Sequence, residues 1–128
     1  MGDSAQRLVV VDSDGGIDDC IAILALLRDP SVRILALTAV FGNATLDNVR
    51  RNLGLLLAKF NTGEKIPIYA GAARGLIESN PTPWEGHGPN GLGGAEFPEV
   101  LPQTVECTHA CVALTELAKE YAGQIDLI

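Results

Sequence analysis

Between Leu8 and Leu27 the chain runs from Val9-Val10-Val11 through Asp12, Asp14, Gly15, Gly16, Asp18 and Asp19 into the apolar stretch Cys20–Leu27. A β-branched run, a glycine turn and an apolar segment of helical length read as strand, tight turn and helix. In open α/β sheets ligands bind beyond the carboxyl ends of the strands, and the four aspartates fall at that place. Their mutual repulsion has to be offset. The amino end of the following helix offsets about 0.3–1 kcal/mol for each of Asp18 and Asp19. It does not reach Asp12 and Asp14 as well. A hard divalent cation, Ca2+ or Mg2+, takes carboxylate, carbonyl and water oxygens and fits this need. The competing reading is an acidic cap on a polar turn, with no metal.

The rest of the chain repeats the alternation. Asp29-Pro30-Ser31 breaks the first helix. Ile34–Val40 is a second near-continuous apolar run, as strands buried on both faces require. After Phe41-Gly42-Asn43, Thr45 can cap a helix whose Leu46, Val49, Leu53, Leu56, Leu57 and Phe60 recur at helical spacing, ending at Asn61-Thr62-Gly63. Ile66–Ala70 reads as a third strand. From Gly71 to Pro102 glycine and proline dominate and periodicity is lost; a loop of this length suggests a mobile rim over the site. Thr104 is expected to cap a last helix with Ala110, Leu114, Leu117, Ala118 and Tyr121 inward and Gly123 at its end. Gln124–Ile128 begins a fourth strand. The order predicts a doubly wound, mostly parallel α/β sheet in one domain over 1–128. A final strand without its helix leaves an exposed apolar edge and the look of a truncated sheet, a setting that favours homo-oligomers.

With 128 residues and 47% apolar content the chain can bury a core. No apolar run is long enough to span a bilayer, and the first residues lack the apolar segment of a secretory signal. A net charge of −7 disfavours nucleic acid and anionic membranes as partners and fits a soluble cytoplasmic enzyme. The odd set Cys20, Cys107 and Cys111 has no zinc or disulfide spacing. All three are expected to be reduced core residues, Cys107 and Cys111 sharing one face of the last helix.

Three features together resemble the inosine-uridine-preferring nucleoside hydrolase family. Asp12-Ser13-Asp14-Gly15-Gly16-Ile17-Asp18-Asp19 matches that family's Asp-x-Asp-Pro-Gly-x-Asp-Asp; Gly42-Asn43 follows the second strand; and Tyr69-Ala70-Gly71-Ala72 leads to His87-Gly88-x-x-Gly91-Leu92-Gly93. The resemblance spans this chain but less than half of the family's fold. It implies Ca2+-dependent hydrolysis of the N-glycosidic bond of ribonucleosides such as inosine or uridine. Carried over, Asp14 is the metal ligand that doubles as general base and Asp19 a second, bidentate ligand. Asp18 is the partner of the ribose 2′-hydroxyl, and Asn43 a ribose or metal-shell contact. Asp12, Gly16 and His87 take supporting parts, His87 either touching a base or lying solvated in its loop; His109 is structural. The resemblance also implies that further metal ligands, the 5′-hydroxyl contacts and a histidine general acid belong to the part of the fold beyond this chain. The isolated chain is therefore expected to bind Ca2+ weakly and turn over negligibly.

One motif position departs: Gly15 stands where the family has proline, which predicts a looser turn and weaker metal affinity. Two other readings remain. Asp-x-Asp-Gly after an apolar strand also resembles the haloacid dehalogenase phosphatases, with Asp12 as nucleophile, Asp14 as acid/base and Mg2+ bound. The other is a non-catalytic product related to the nucleoside hydrolases: a truncated isoform, a fragment or a degenerate binding module. A P-loop is excluded by the absence of Gly-Lys-Ser/Thr, and a dinucleotide fingerprint by carboxylates where a pyrophosphate would sit.

Overall fold

A computed structural model describes residues 5–77 and 85–128. Strand β1 (Arg7–Ser13) leads to helix α1 (Ile17–Arg28), β2 (Val32–Ala39), α2 (Leu46–Phe60) and β3 (Ile68–Ala70). A 3-10 turn at Glu85–His87 precedes α3 (Ala110–Glu120) and β4 (Ile125–Leu127). The strands form one sheet in the order β3-β2-β1-β4, and every pairing is parallel. The expected parallel α/β architecture is what the chain adopts.

Alternation along β1 explains why helices cover both faces. Val9 and Val11 enter the core with Ile23 of α1 and Val49, Leu53 and Leu57 of α2. Val10, pointing the other way, lines a groove with Leu114 and Leu117 of α3. β2 is buried almost throughout its length from Ile34 to Ala39, which is why it reads as a continuous apolar run. The path β1-β2-β3 moves outward on one side, and β4 returns on the other side of β1. The switch point of the sheet thus lies at the carboxyl end of β1, where such folds bind ligands.

Three expectations need correction. Thr104 caps nothing; α3 begins at Ala110, with His109 as its cap accepting the Cys111 N–H at 3.2 Å. Residues 103–106 are drawn into backbone pairing instead: Gln103 N–H donates to Gly54 O and Glu106 N–H to Ile68 O. Tertiary pairing here outweighs local helical preference. Within α3, Ala118 is exposed while Ala110 and Ala113 are the buried positions. Cys107 and Cys111 are exposed, and Cys107 precedes the helix; only Cys20 is a core cysteine.

The described part of the glycine-rich region is not structureless. Asn90 Oδ1 accepts from the N–H groups of Leu92 and Gly94, and Asn90 Nδ2 donates to Ala95 O. Of the rim expected over Gly71–Pro102, residues 78–84 lie outside the described residues. Leu127 and Ile128 are 62% and 60% exposed. Among the described residues no helix is long and apolar enough to cross a membrane.

Candidate metal and ribose site

The acidic turn is held by hydrogen bonds to its own side-chain oxygens. Ser13, buried at the end of β1, donates its hydroxyl to Asp19 Oδ2 at 2.7 Å and accepts the Gly15 N–H at 3.0 Å. Asp19 Oδ2 also accepts the Asp14 N–H at 3.1 Å. Asp14 Oδ2 in turn accepts the Asn43 N–H at 2.8 Å, across from the loop that follows β2. These bonds bring Asp14, Asp19 and Asn43 together. The two carboxyl groups also lie within hydrogen-bond reach of one another.

Burial pushes the Asp19 carboxyl above its ordinary range; the Asp14 charge pushes the same way, while the Ser13 hydroxyl and the Asp14 N–H pull it back. No lysine or arginine pairs with either carboxylate among the described residues. The donor set therefore fits a hard divalent cation in kind: two adjacent carboxylates at a strand end without a side-chain counter-ion. In number it is partial, because no group of three or more His, Cys, Asp or Glu side chains converges on one point among the described residues.

Glycines make this approach possible. A Cβ on Gly42 would overlap Asp14 Oδ2 and lie 2.7 Å from Asp14 Cβ. Gly15 sits at φ +68°, a left-handed conformation closed to proline. Its replacement of the motif's proline thus allows a backbone shape that a proline at this position forbids.

The remaining predicted residues form a second cluster. Gly16 caps α1 by backbone only, with no side-chain bond. The cap is supplied from the glycine loop: His87 Nδ1 accepts the Ile17 N–H at 3.1 Å. His87 is 8% exposed, so it is neither solvated nor on the rim. Its Nε2 lies 4.0 Å from Asp18 Oδ1, and the Asp18 side chain is 76% exposed. Asp12 stands apart. It accepts a 2.5 Å bond from the Thr38 hydroxyl, its partner in register on β2, and its N–H donates to Ile128 O. One Asp12 oxygen is thus engaged by the sheet, and no hydrogen bond joins Asp12 to the Asp14–Asp19 pair among the described residues. The Asn43 carboxamide has no partner among the described residues and is half-buried beside Asp14.

Ser13, Thr38 and Asn52 are the residues that sequence reasoning passed over. Asn52 of α2, 1% exposed, donates through Nδ2 to Gly15 O at 3.2 Å and to Asn90 O at 2.8 Å. Its signal was visible: one polar residue within the apolar stripe Val49, Leu53, Leu56. A cavity of about 630 Å³ opens at the amino ends of the strands, near Gln6, Val32 and Lys65, far from the acidic turn.

A parallel sheet with a carboxylate pair fixed at its switch point defines an α/β protein of the open-sheet, ligand-binding class. Comparison with known proteins narrows this. The model of the family described as inosine-uridine preferring nucleoside hydrolase matches residues 9–128; the chain belongs to that family. It is 33% identical over 115 residues to the inosine-uridine preferring nucleoside hydrolase of Crithidia fasciculata, covering 90% of this chain and 36% of that protein. It is 34% identical over 121 residues to uridine nucleosidase 1 of Arabidopsis thaliana, covering 94% and 35%. Among solved structures, a plant nucleoside hydrolase superposes with a TM-score of 0.82 at 30% identity, over 94% of this chain and 38% of that one. An inosine-guanosine nucleoside hydrolase gives 0.81 at 28%, over 96% and 38%. The chain spans little more than a third of the length of these relatives.

Proposed function

We propose that this chain carries the metal- and ribose-binding part of a nucleoside hydrolase acting on ribonucleosides such as inosine or uridine. The observation that carries the reading is the fixed Asp14–Asp19 pair, with the Asn43 amide and Ser13 hydroxyl setting its geometry. Asp14 and Asp19 are the residues that would hold Ca2+. The ion, when bound, would offset the carboxylate charge, orient a sugar diol and acidify water.

The chain's own residues supply the rest. Asp14, placed at the strand end, accepts a proton from water within hydrogen-bond reach. The exposed Asp18 carboxylate can accept from a ribose hydroxyl, and the Asn43 carboxamide, without a partner among the described residues, both donates and accepts, as a diol demands. Cleavage of an N-glycosidic bond builds positive charge on the ribose, and the adjacent carboxylates stabilise it.

Two assays test this. With Ca2+ and inosine, the 128-residue chain is expected to bind the ion weakly and to release negligible reducing sugar, since two carboxylates leave most of the 6–8 oxygens of Ca2+ to other ligands. Robust inosine hydrolysis would overturn that expectation. Phosphate release from p-nitrophenyl phosphate would overturn the proposed chemistry itself.

A further inference from the structure

The acidic turn and the glycine loop never bond to one another directly at Gly15 and Asn90, yet both are bonded to one atom. Asn52 Nδ2 donates to Gly15 O and to Asn90 O. Gly15 is pressed onto α2, its hypothetical Cβ 3.0 Å from Val49 Cα. Gly91, at φ +79°, lies so close that a Cβ there would be 3.0 Å from Asn52 Nδ2 and 2.9 Å from Ala44 Cβ. The same carboxamide leaves Oδ1 buried with no partner among the described residues. An unsatisfied buried acceptor costs stability. A leucine at this point of the apolar stripe avoids that cost, so packing alone does not account for asparagine.

We propose that Asn52 is a positioning residue that couples the acidic turn to the glycine loop. Through Gly15 it fixes the backbone that aims Asp14; through Asn90 it fixes the loop that brings His87 onto the first turn of α1. The two halves of the candidate site are thereby made to open and close as one unit. A cation seated at the turn then also steadies the loop; this consequence, unlike the coupling itself, rests on the metal reading above.

Amide hydrogen exchange resolved by residue tests both. The turn reports through the Gly15 N–H, bonded to Ser13 Oγ, and the Asn43 N–H, bonded to Asp14 Oδ2. The loop reports through the Gly93 N–H, bonded to His87 O, and the Gly94 N–H, bonded to Asn90 Oδ1. In Asn52→Leu, all four amides are expected to exchange at least tenfold faster, while amides of β2 and of the carboxyl half of α2 keep their rates. Acceleration of the loop alone, of the turn alone, or of the whole chain together overturns the proposal. Should Asn52→Leu fail to fold, the unaltered chain decides. In rising urea its turn and loop amides are expected to follow one common dependence, and separate dependences overturn the coupling. Ca2+ is the second arm. It is expected to slow the loop amides in the unaltered chain and not in Asn52→Leu. If Ca2+ changes nothing while turn and loop still open together, the metal reading fails and the Asn52 assignment stands.

Discussion

His87 Nδ1 accepts the backbone N–H of Ile17 across 70 positions of sequence. A loop side chain thus caps α1, whose own cap position holds a glycine without a side-chain acceptor. The unsatisfied N–H groups at a helix start need such partners.

Removing that imidazole is expected to weaken the fold. His87→Ala is predicted to cost about 1 kcal/mol, the usual worth of a cap, read from urea unfolding, with faster exchange centred on Ile17. Unchanged stability and unchanged Ile17 exchange would show that the contact carries no weight.

Gly42 makes a different demand. Its φ is ordinary, so alanine is acceptable to the backbone, but the added Cβ occupies the space of the Asp14 carboxylate. Gly42→Ala is expected to reduce divalent-cation affinity at least tenfold, about 1.4 kcal/mol, measured by calorimetric titration. Retained affinity would mean that Asp14 does not contribute to ion binding in the position described.

Gly15 reverses a common expectation. Proline in place of glycine normally stabilises where φ permits. Here φ is +68° and proline is confined near −65°. Gly15→Pro is therefore predicted to destabilise by more than about 1 kcal/mol. A raised melting temperature would contradict the turn geometry.

The cysteines separate by environment. Burial pushes the Cys20 thiol up to about 11, with the Asp19 and Asp18 charges adding to the shift, whereas Cys107 and Cys111 are exposed. Alkylation of the native chain at pH 8 is expected to modify Cys107 and Cys111 and to reach Cys20 only on unfolding. The sign of the linkage follows. Between the ordinary thiol value of 9.0 and about 11, the unfolded chain releases this proton and the folded chain keeps it, so the Cys20 contribution to stability falls as pH rises. Rapid native labelling of Cys20 would contradict its placement.

Much of this fold was legible because its signals are local. β-branched runs, helical spacing in α2, the Thr45 cap and the breaks at Pro30 and Gly63 all act over a few residues. The acidic motif likewise singled out Asp14 and Asp19, which the structure joins through the Asp14 N–H. What the sequence hid depends on long-range contact. Thr104 lost its helix to pairing of 103–106 with Gly54 and Ile68. His87 read as a loop residue because its partner lies in α1. Asp12 takes only a supporting part in the motif, and its bond to Thr38, opposite it in strand register, could not be read locally. Asn52 announced itself as a polar break in an apolar stripe, but its partners Gly15 and Asn90 are distant in sequence.

The most direct test of the central claim is a calorimetric Ca2+ titration of the chain beside Asp14→Asn, Asp19→Asn and Asp12→Asn. One weakly bound ion is predicted for the unaltered chain, lost in Asp14→Asn and Asp19→Asn and retained in Asp12→Asn. Absence of binding, or binding indifferent to Asp14 and Asp19, would contradict the account.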